Sequence, residues 1–478
     1  MHPAYIDSLR RHAKRIRHVS RYFNAVSVDI EARDLEAACG REFVRSADLV
    51  ASFRRLPGDP PAAPLDAHSA NAPRAEWALE YGESYEQLNQ LGLIDQLENG
   101  VNGSGIATGG DPVLIALLDT GFRLDHPALA HVSVEAQYDF INGDSVTANE
   151  AGDPAGQDTH GTRVLGVLAG YAEGDLIGPA WGARYLLAKT EIESDEIPLE
   201  EDHWVAGIEW ADSAGADVVS SSLGYILWYE AGDLDGNTAL CTRAADIAAS
   251  HGIVVVNSAG NHGISGLVTP ADGDSVFTIG AVDRNGLIAS FSSRGPTVDG
   301  RVKPDFAAMG VGVRSVADAA GYGSYNGTSF AAPLVAGLCA VLLELHPSWS
   351  PMALRDTLRA TASRSAAPDN AYGWGIPNAA LAVRPPAVAA SVRAFPNPFS
   401  VSTSVSVSVN SPETVTIRVY DCRGALVRTL AGGESVRSSL TVAWDGTNDR
   451  GERAAGGIYF IAVSSAASLW TVKAVLLR

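Results

Sequence analysis

Residues 113–121 read V-L-I-A-L-L-D-T-G, an unbroken apolar run that ends in an acid, a hydroxyl residue and a glycine. A continuous apolar run bounded by a turn signal fits a strand buried on both faces better than a half-exposed one. Four other runs share the character: Ala183–Lys189, Val218–Ser221, Ile253–Asn257 and Val276–Val282. Helical patterns separate them at Thr162–Ala169, Trp204–Ala214 and Thr238–Ser250. This alternation predicts an α/β domain, a doubly wound and mostly parallel sheet covered on both faces. Such sheets gather their sites at the carboxyl ends of the strands. Asp119 and Asn261 each follow a strand run closely, which places both at that rim.

Two further runs carry chemistry, D-T-H-G-T at 158–162 and G-T-S-F-A-A-P at 327–333. Together with L-L-D-T-G they supply a carboxylate, an imidazole and a hydroxyl in the chain order Asp119, His160, Ser329. Hydrolysis of an amide needs a nucleophile, a proton acceptor and stabilisation of an oxyanion. Ser329 precedes the apolar helical pattern Phe330–Glu344, so its hydroxyl and N–H are expected at the positive end of a helix dipole. Pro333 suits a first turn and would break a helix interior. His160 runs into V-L-G-V-L-A-G, whose small residues let a helix lie close under a sheet. With an ordinary pKa of about 6.5 its ring is mostly neutral, and so basic, at neutral pH and above. Asp119 is expected to accept from the second ring nitrogen, fixing the tautomer and steadying the imidazolium. Asp125 and Asp158 compete for that role, but neither ends a buried strand run. In V-V-V-N-S-A-G-N-H-G at 254–263, Asn261 either closes a turn or donates to an oxyanion.

These four motifs, in this order, resemble those of the subtilase family of serine proteases, over about Tyr81 to Pro377. The resemblance implies a subtilisin-like fold and a serine endopeptidase with Asp119, His160 and Ser329 as its triad. It implies that Asn261 donates to the oxyanion with the N–H of Ser329. Loss of one such donor costs roughly 10²–10³ in turnover. The run Ser220–Gly224 resembles the family's edge strand, where an extended peptide adds by main-chain hydrogen bonds; Ser222, Leu223 and Gly224 are the substrate-binding residues it implies. Ala259 and Gly260 would wall the primary specificity pocket, and Val268, where relatives often carry glycine, would narrow it. An esterase of the α/β-hydrolase type is excluded by residue order and by the lack of a G-x-S-x-G elbow at Ser329. A catalytically silent surface protein using the domain as a scaffold is the alternative. Pseudoenzymes usually lack a catalytic residue, and none of these four is missing.

Composition bounds the rest. With 48 glycines and 19% charged residues the chain is loop-rich and globular, neither disordered nor coiled-coil. A formal charge of −20 argues against nucleic acid as a partner, since phosphate binding needs a basic surface. The acidic turns Asp139–Asp144 and Asp233–Asn237 are open to structural calcium, although each lacks a full ligand pattern and no cofactor is required. Cys39, Cys241, Cys339 and Cys422 form no C-x-x-C pair and read as buried free thiols. The basic N-terminus has no apolar segment after it, so an export signal is expected upstream of Met1 if the protein is exported. The longest uncharged apolar run, Ala331–Leu343, is too short to span a bilayer and reads as a core helix.

Five segments follow from composition and pattern. Residues 1–55 are Arg-rich, with a strand at Phe23–Ile30, a helix at Asp34–Cys39 and a strand at Asp48–Phe53. This α+β unit, with N-A-V-S-V at 24–28, resembles the second half of a subtilase propeptide and implies a zymogen whose own propeptide is a partner. Residues 56–80, rich in Pro and Ala, form a linker open to nicking. The peptidase domain covers 81–383, and a second linker 384–390. From 391 to 478, period-2 Val/Ser/Thr runs separated by Asp-Gly and Gly-Gly turns predict an antiparallel β-sandwich, opened by F-P-N-P-F at 395–399. That segment resembles the immunoglobulin-like module of many secreted bacterial proteins, related to one in flagellar hook-capping proteins. The resemblance implies a sorting or surface-binding role, with export machinery or the cell surface as partner, and a secreted or cell-surface location.

Overall fold

The computed structural model describes residues 3–50, 78–194, 197–318, 320–383, 393–408, 413–421, 425–436, 439–464 and 469–477. Two compact units divide after Leu381.

The first unit is built on strands β3 (Leu114–Asp119), β4 (Ser133–Asp139), β5 (Arg184–Lys189), β6 (Val218–Ser221), β7 (Val254–Ser258), β8 (Phe277–Val282) and β9 (Phe306–Met309). They form a seven-stranded sheet in the order β9-β8-β7-β6-β3-β5-β4, parallel at every pairing. After β3 the chain adds β4 and β5 on one side, then returns to add β6 onward on the other. At such a reversal the crossovers part, and a crevice opens at the carboxyl ends of the strands. Leu114, Ala116 and Leu118 of β3 pack against Trp204 and Ile208 of α4 (Pro198–Ala214) and Ala244 and Ala248 of α5 (Leu240–Ser250). Alternate residues of a strand point the other way, towards α3 (Thr159–Ala169) and α6 (Thr328–Leu345). With both faces covered, every residue of β3 is buried, and the strand reads as a continuous apolar run. Helix α6 is apolar and long enough to cross a membrane, yet nearly all of it is buried in the protein. It is the core helix that the sequence predicts.

The five predicted strands and three predicted helices of this unit are present, with ends shifted by a few residues. Strand β4 is absent from the sequence reading because it lies at the sheet edge: its burial is mixed, so no apolar run marks it. The hairpin β10 (Val313–Val316) and β11 (Tyr322–Tyr325) escapes because each strand has only four residues.

Before the sheet come α1 (Pro3–Arg10), β1 (Ala13–Ser20), β2 (Ala25–Ile30) and α2 (Ala32–Cys39), with β1 and β2 antiparallel. The basic run K-R-I-R-H, silent as a pattern, is strand β1. Of the expected strand Asp48–Phe53, residues 48–50 have no regular structure and 51–53 lie outside the described residues. Residues 56–77 of the first linker and the whole of the second, 384–390, also lie outside them. This N-terminal unit docks on the acidic face of α4. The Glu209 carboxylate accepts from the Ser20 hydroxyl (2.5 Å) and the Arg21 N–H (2.7 Å), and Tyr22 donates to Asp212 at 2.9 Å. Ser27 donates to Asp202. Beneath these contacts the rings of His18 and His203 meet edge to face at 5.2 Å.

The second unit holds two antiparallel sheets. One is β12 (Arg393–Phe395), β13 (Thr403–Ser408) and β16 (Ser439–Trp444), in the order β12-β13-β16. The other comprises β14 (Glu413–Asp421), β15 (Leu426–Val436), β17 (Gly457–Ser464) and β18 (Leu469–Leu476), in the order β15-β14-β17-β18. Alternate residues, among them Val405, Val407, Ile417, Val419, Ile461 and Val463, share one apolar core around Trp444. This is the sandwich that the period-2 pattern predicts.

Burial, then the charges of Arg15 and Arg17, hold the His18 pKa down to about 4. Burial, then His18, Arg17 and Arg15, hold that of His203 down to about 3 against a hydrogen bond to the Thr190 backbone. Both rings are therefore neutral at pH 7. Docking that depresses a histidine pKa is fully favourable above the unfolded value near 6.5 and weakens as pH falls towards the folded values. In a Ser329→Ala chain, β1 and β2 are expected to lose hydrogen-exchange protection relative to β3 between pH 6.5 and 4, after correction for intrinsic rates. His203→Phe is expected to flatten that dependence.

Candidate active site

Asp119 is the last residue of β3 and is fully buried. Its Oδ1 accepts from the Thr120 N–H at 2.8 Å and from Nδ1 of His160 at 2.7 Å. His160 is the second residue of α3, and its side chain keeps 27% exposure, so one edge of the ring reaches the crevice. Gly161 makes the approach of helix to strand feasible: a Cβ there would overlap the Gly121 carbonyl oxygen and meet the Asp119 Cβ at 3.0 Å. Gln157 braces the same turn by donating to the carbonyl of Thr120 at 2.6 Å. Burial disfavours the imidazolium, but the charge of Asp119, its hydrogen bond and the charge of Glu193 outweigh that. The His160 pKa is therefore raised above 6.5. The sequence alone gives only the ordinary value, since the place of Glu193 is not visible in a motif.

Ser329 is the second residue of α6, 9% exposed, just after Gly327, whose φ of 148° favours glycine. Its hydroxyl donates to the carbonyl of Ser222 at 3.3 Å. Among the described residues no hydrogen bond joins Ser329 to His160. The two share a neighbourhood: the Phe330 ring lies 5.9 Å from the imidazole. Pro333 is the sixth residue of α6, beyond the first turn where the sequence reading placed it, and the helix runs on to Leu345.

Asn261 follows β7 on an exposed turn. Its Oδ1 accepts from the N–H and the hydroxyl of Thr328, each at 3.0 Å, which ties the amide to the residue before Ser329. Its Nδ2 carries no hydrogen bond among the described residues. Thr328, passed over in the sequence, is what orients it. Ser222, Leu223 and Gly224 leave the carboxyl end of β6, and Ala259 and Gly260 leave that of β7. Val268 is buried between them. A Cβ on Gly224 would overlap one Val268 methyl, and one on Gly260 would meet the other at 3.0 Å. The isopropyl group thus fills the space that two glycines leave open.

The competing acids are otherwise engaged or remote. Asp158 accepts from Asn149 N–H at 2.9 Å and pairs with Arg123 at 3.2 Å, and Asp125 is exposed. In the calcium candidates, Asp139, Asp144 and Glu150 can bring oxygens within 4.8 Å of one another. However, Asp139 and Asp153 each hold the buried ammonium of Lys189 at 2.7 Å. An internal cation already meets part of that charge. Asp235 spends its carboxylate on the N–H groups of Asn237 and Thr238. Cys241 and Cys339 are buried free thiols; Cys39 is exposed instead, near the end of α2, and Cys422 lies outside the described residues.

An open parallel sheet with a carboxylate, an imidazole and a hydroxyl in the first turn of a helix at its carboxyl rim defines a class of hydrolase-type site. Residues 110–375 match the model of the subtilase family, and residues 398–468 that of the FlgD Ig-like domain. Subtilisin E of Bacillus subtilis (strain 168) is 35% identical over 260 residues, which are 53% of this chain and 61% of that protein. This chain thus spans less than two thirds of that relative. Subtilisin BL of Lederbergia lenta is 32% identical over 286 residues, 60% of this chain and 93% of that protein. The Clostridium Perfringens CspB protease shares the fold, with a TM-score of 0.53 at 17% identity over 62% of this chain and 98% of that one. The chain belongs to the subtilase family.

In a ¹⁵N-labelled Ser329→Ala chain the His160 ring is expected to titrate above pH 6.5. Asp119→Asn is expected to bring that midpoint down, because it removes the leading stabiliser of the charged ring.

Proposed function

We propose that this chain is a serine endopeptidase that cleaves peptide bonds through an acyl-enzyme on Ser329. The observation that carries the reading is the 2.7 Å hydrogen bond from a half-buried imidazole to a buried carboxylate, at the rim where the Ser329 helix begins. Rotation of the Ser329 hydroxyl from Ser222 towards Nε2 of His160 readies the attack. The hydroxyl oxygen adds to the scissile carbonyl while its proton passes to Nε2. The oxyanion is met by the Ser329 N–H and Nδ2 of Asn261. The imidazolium, steadied by Asp119, then protonates the departing amine, and water repeats the sequence to release the acid.

An extended stretch of polypeptide lies along Ser222–Gly224, beside Ala259 and Gly260. Val268 restricts the residue before the cleaved bond to small side chains. The N-terminal unit, docked on α4, is the propeptide of a zymogen, and the linker that follows is where it is cut. The C-terminal module serves sorting or surface attachment of a secreted or cell-surface enzyme. The propeptide-like likeness of N-A-V-S-V and the match to an Ig-like domain support these roles.

Ser329→Ala is expected to abolish both hydrolysis of an unfolded protein substrate and labelling by a fluorophosphonate; a variant that kept its turnover would falsify the assignment. Val268→Gly is expected to raise kcat/KM for peptides with an aromatic residue before the cleaved bond by about 10–200-fold relative to alanine there. Peptide-library profiling reads that ratio directly.

A further inference from the structure

We infer that the Ser222 hydroxyl is a positioning group for Ser329, standing in for a backbone donor that Pro333 withholds. The inference rests on the proposed reading of Ser329 as nucleophile. In an α-helix the carbonyl of residue 329 accepts from the N–H of residue 333. Proline has no N–H, and its ring crowds the carbonyl four residues earlier, which here belongs to Ser329 itself. A buried carbonyl left without a donor is destabilising and would leave the backbone of the reacting residue free to shift.

The missing donor comes from outside the helix. Ser222 Oγ donates to the Ser329 carbonyl oxygen at 2.8 Å, and both residues are buried. The contact is reciprocal, since the Ser329 hydroxyl donates to the Ser222 carbonyl at 3.3 Å. Each serine thus holds the other through one hydroxyl and one carbonyl. The shorter bond fixes the main chain of Ser329, and the longer one leaves its side chain lightly held. Ser222 leaves β6 and Ser329 opens α6, so this pair ties the helix that bears the nucleophile to the sheet rim. In the sequence, Ser222 stood out only as part of a substrate-binding edge; its hydroxyl has a separate task.

The test is a cycle in the full-length chain with Ser222→Ala, Pro333→Ala and both together. Ser222→Ala is expected to lower kcat about 10–100-fold with KM changed less than about threefold, the pattern of an interaction that matters to the reacting geometry rather than to binding. Adding Pro333→Ala restores the N–H of residue 333 to the Ser329 carbonyl, so the double variant is expected to recover at least about tenfold of that loss. A second readout is independent of turnover: the carbonyl ¹³C resonance of Ser329 is expected to move in Ser222→Ala and return in the double variant. An unmoved resonance, or a kcat loss that Pro333→Ala fails to repair, overturns the inference. If the resonance behaves as expected while the parent chain hydrolyses no peptide, the peptidase reading fails and the positioning contact stands.

Discussion

The contact on which the site turns is the hydrogen bond between a carboxylate with no access to water and an imidazole with partial access. It requires the carboxyl end of β3 and the first turn of α3 to touch. That approach is closer than any side chain at 161 would permit, so glycine follows the histidine directly. The strand can end in a buried acid because the N–H and hydroxyl of Thr120 and the ring share the charge of Asp119. The parallel sheet, its point of reversal and the two helices that begin at one rim are the means of holding that meeting in place.

Much of this was legible in the chain. β3 is buried on both faces, so its residues had to be apolar throughout, and the run 113–118 announced both the strand and the parallel class. Asp119, which ends such a run, and Asn261, which closely follows another, marked the rim. What stayed hidden came from contacts between segments distant in sequence. Edge strand β4 carries no apolar signature because one side faces water. The basic run that forms β1 looks like a solvated patch until the acidic face of α4 is set against it. Likewise, the hydroxyl partner of Ser329 sits 107 residues away, and no local spacing points to it. The Pro333 position illustrates the same limit. The local pattern puts it in a first turn that tolerates proline, but it lies sixth in α6, and a donor to the Ser329 carbonyl comes from Ser222, just beyond the end of β6.

Buried ions repeat the theme of charge balanced across the chain. Lys189, at the end of the apolar strand β5, is wholly buried between Asp139 and Asp153. Glu344, near the end of α6, takes the N–H groups of Asn102 and Gly103 at 3.1 and 2.7 Å and so fastens a glycine-rich loop. Such groups contribute little net stability once desolvation is counted, but removing one partner strands the other. They fix which loop lies where, and so preserve the crevice.

The valine wedged between two glycines carries a consequence for selectivity. In the proposed pocket its methyl groups occupy the apolar seat that a bulky side chain would otherwise gain by leaving water. For a peptidase built this way, affinity must come from the backbone of its prey, paired along an edge of the sheet. Only a stretch free to straighten can supply that pairing. Under the proposed function, compact proteins would be passed over and frayed ones cut.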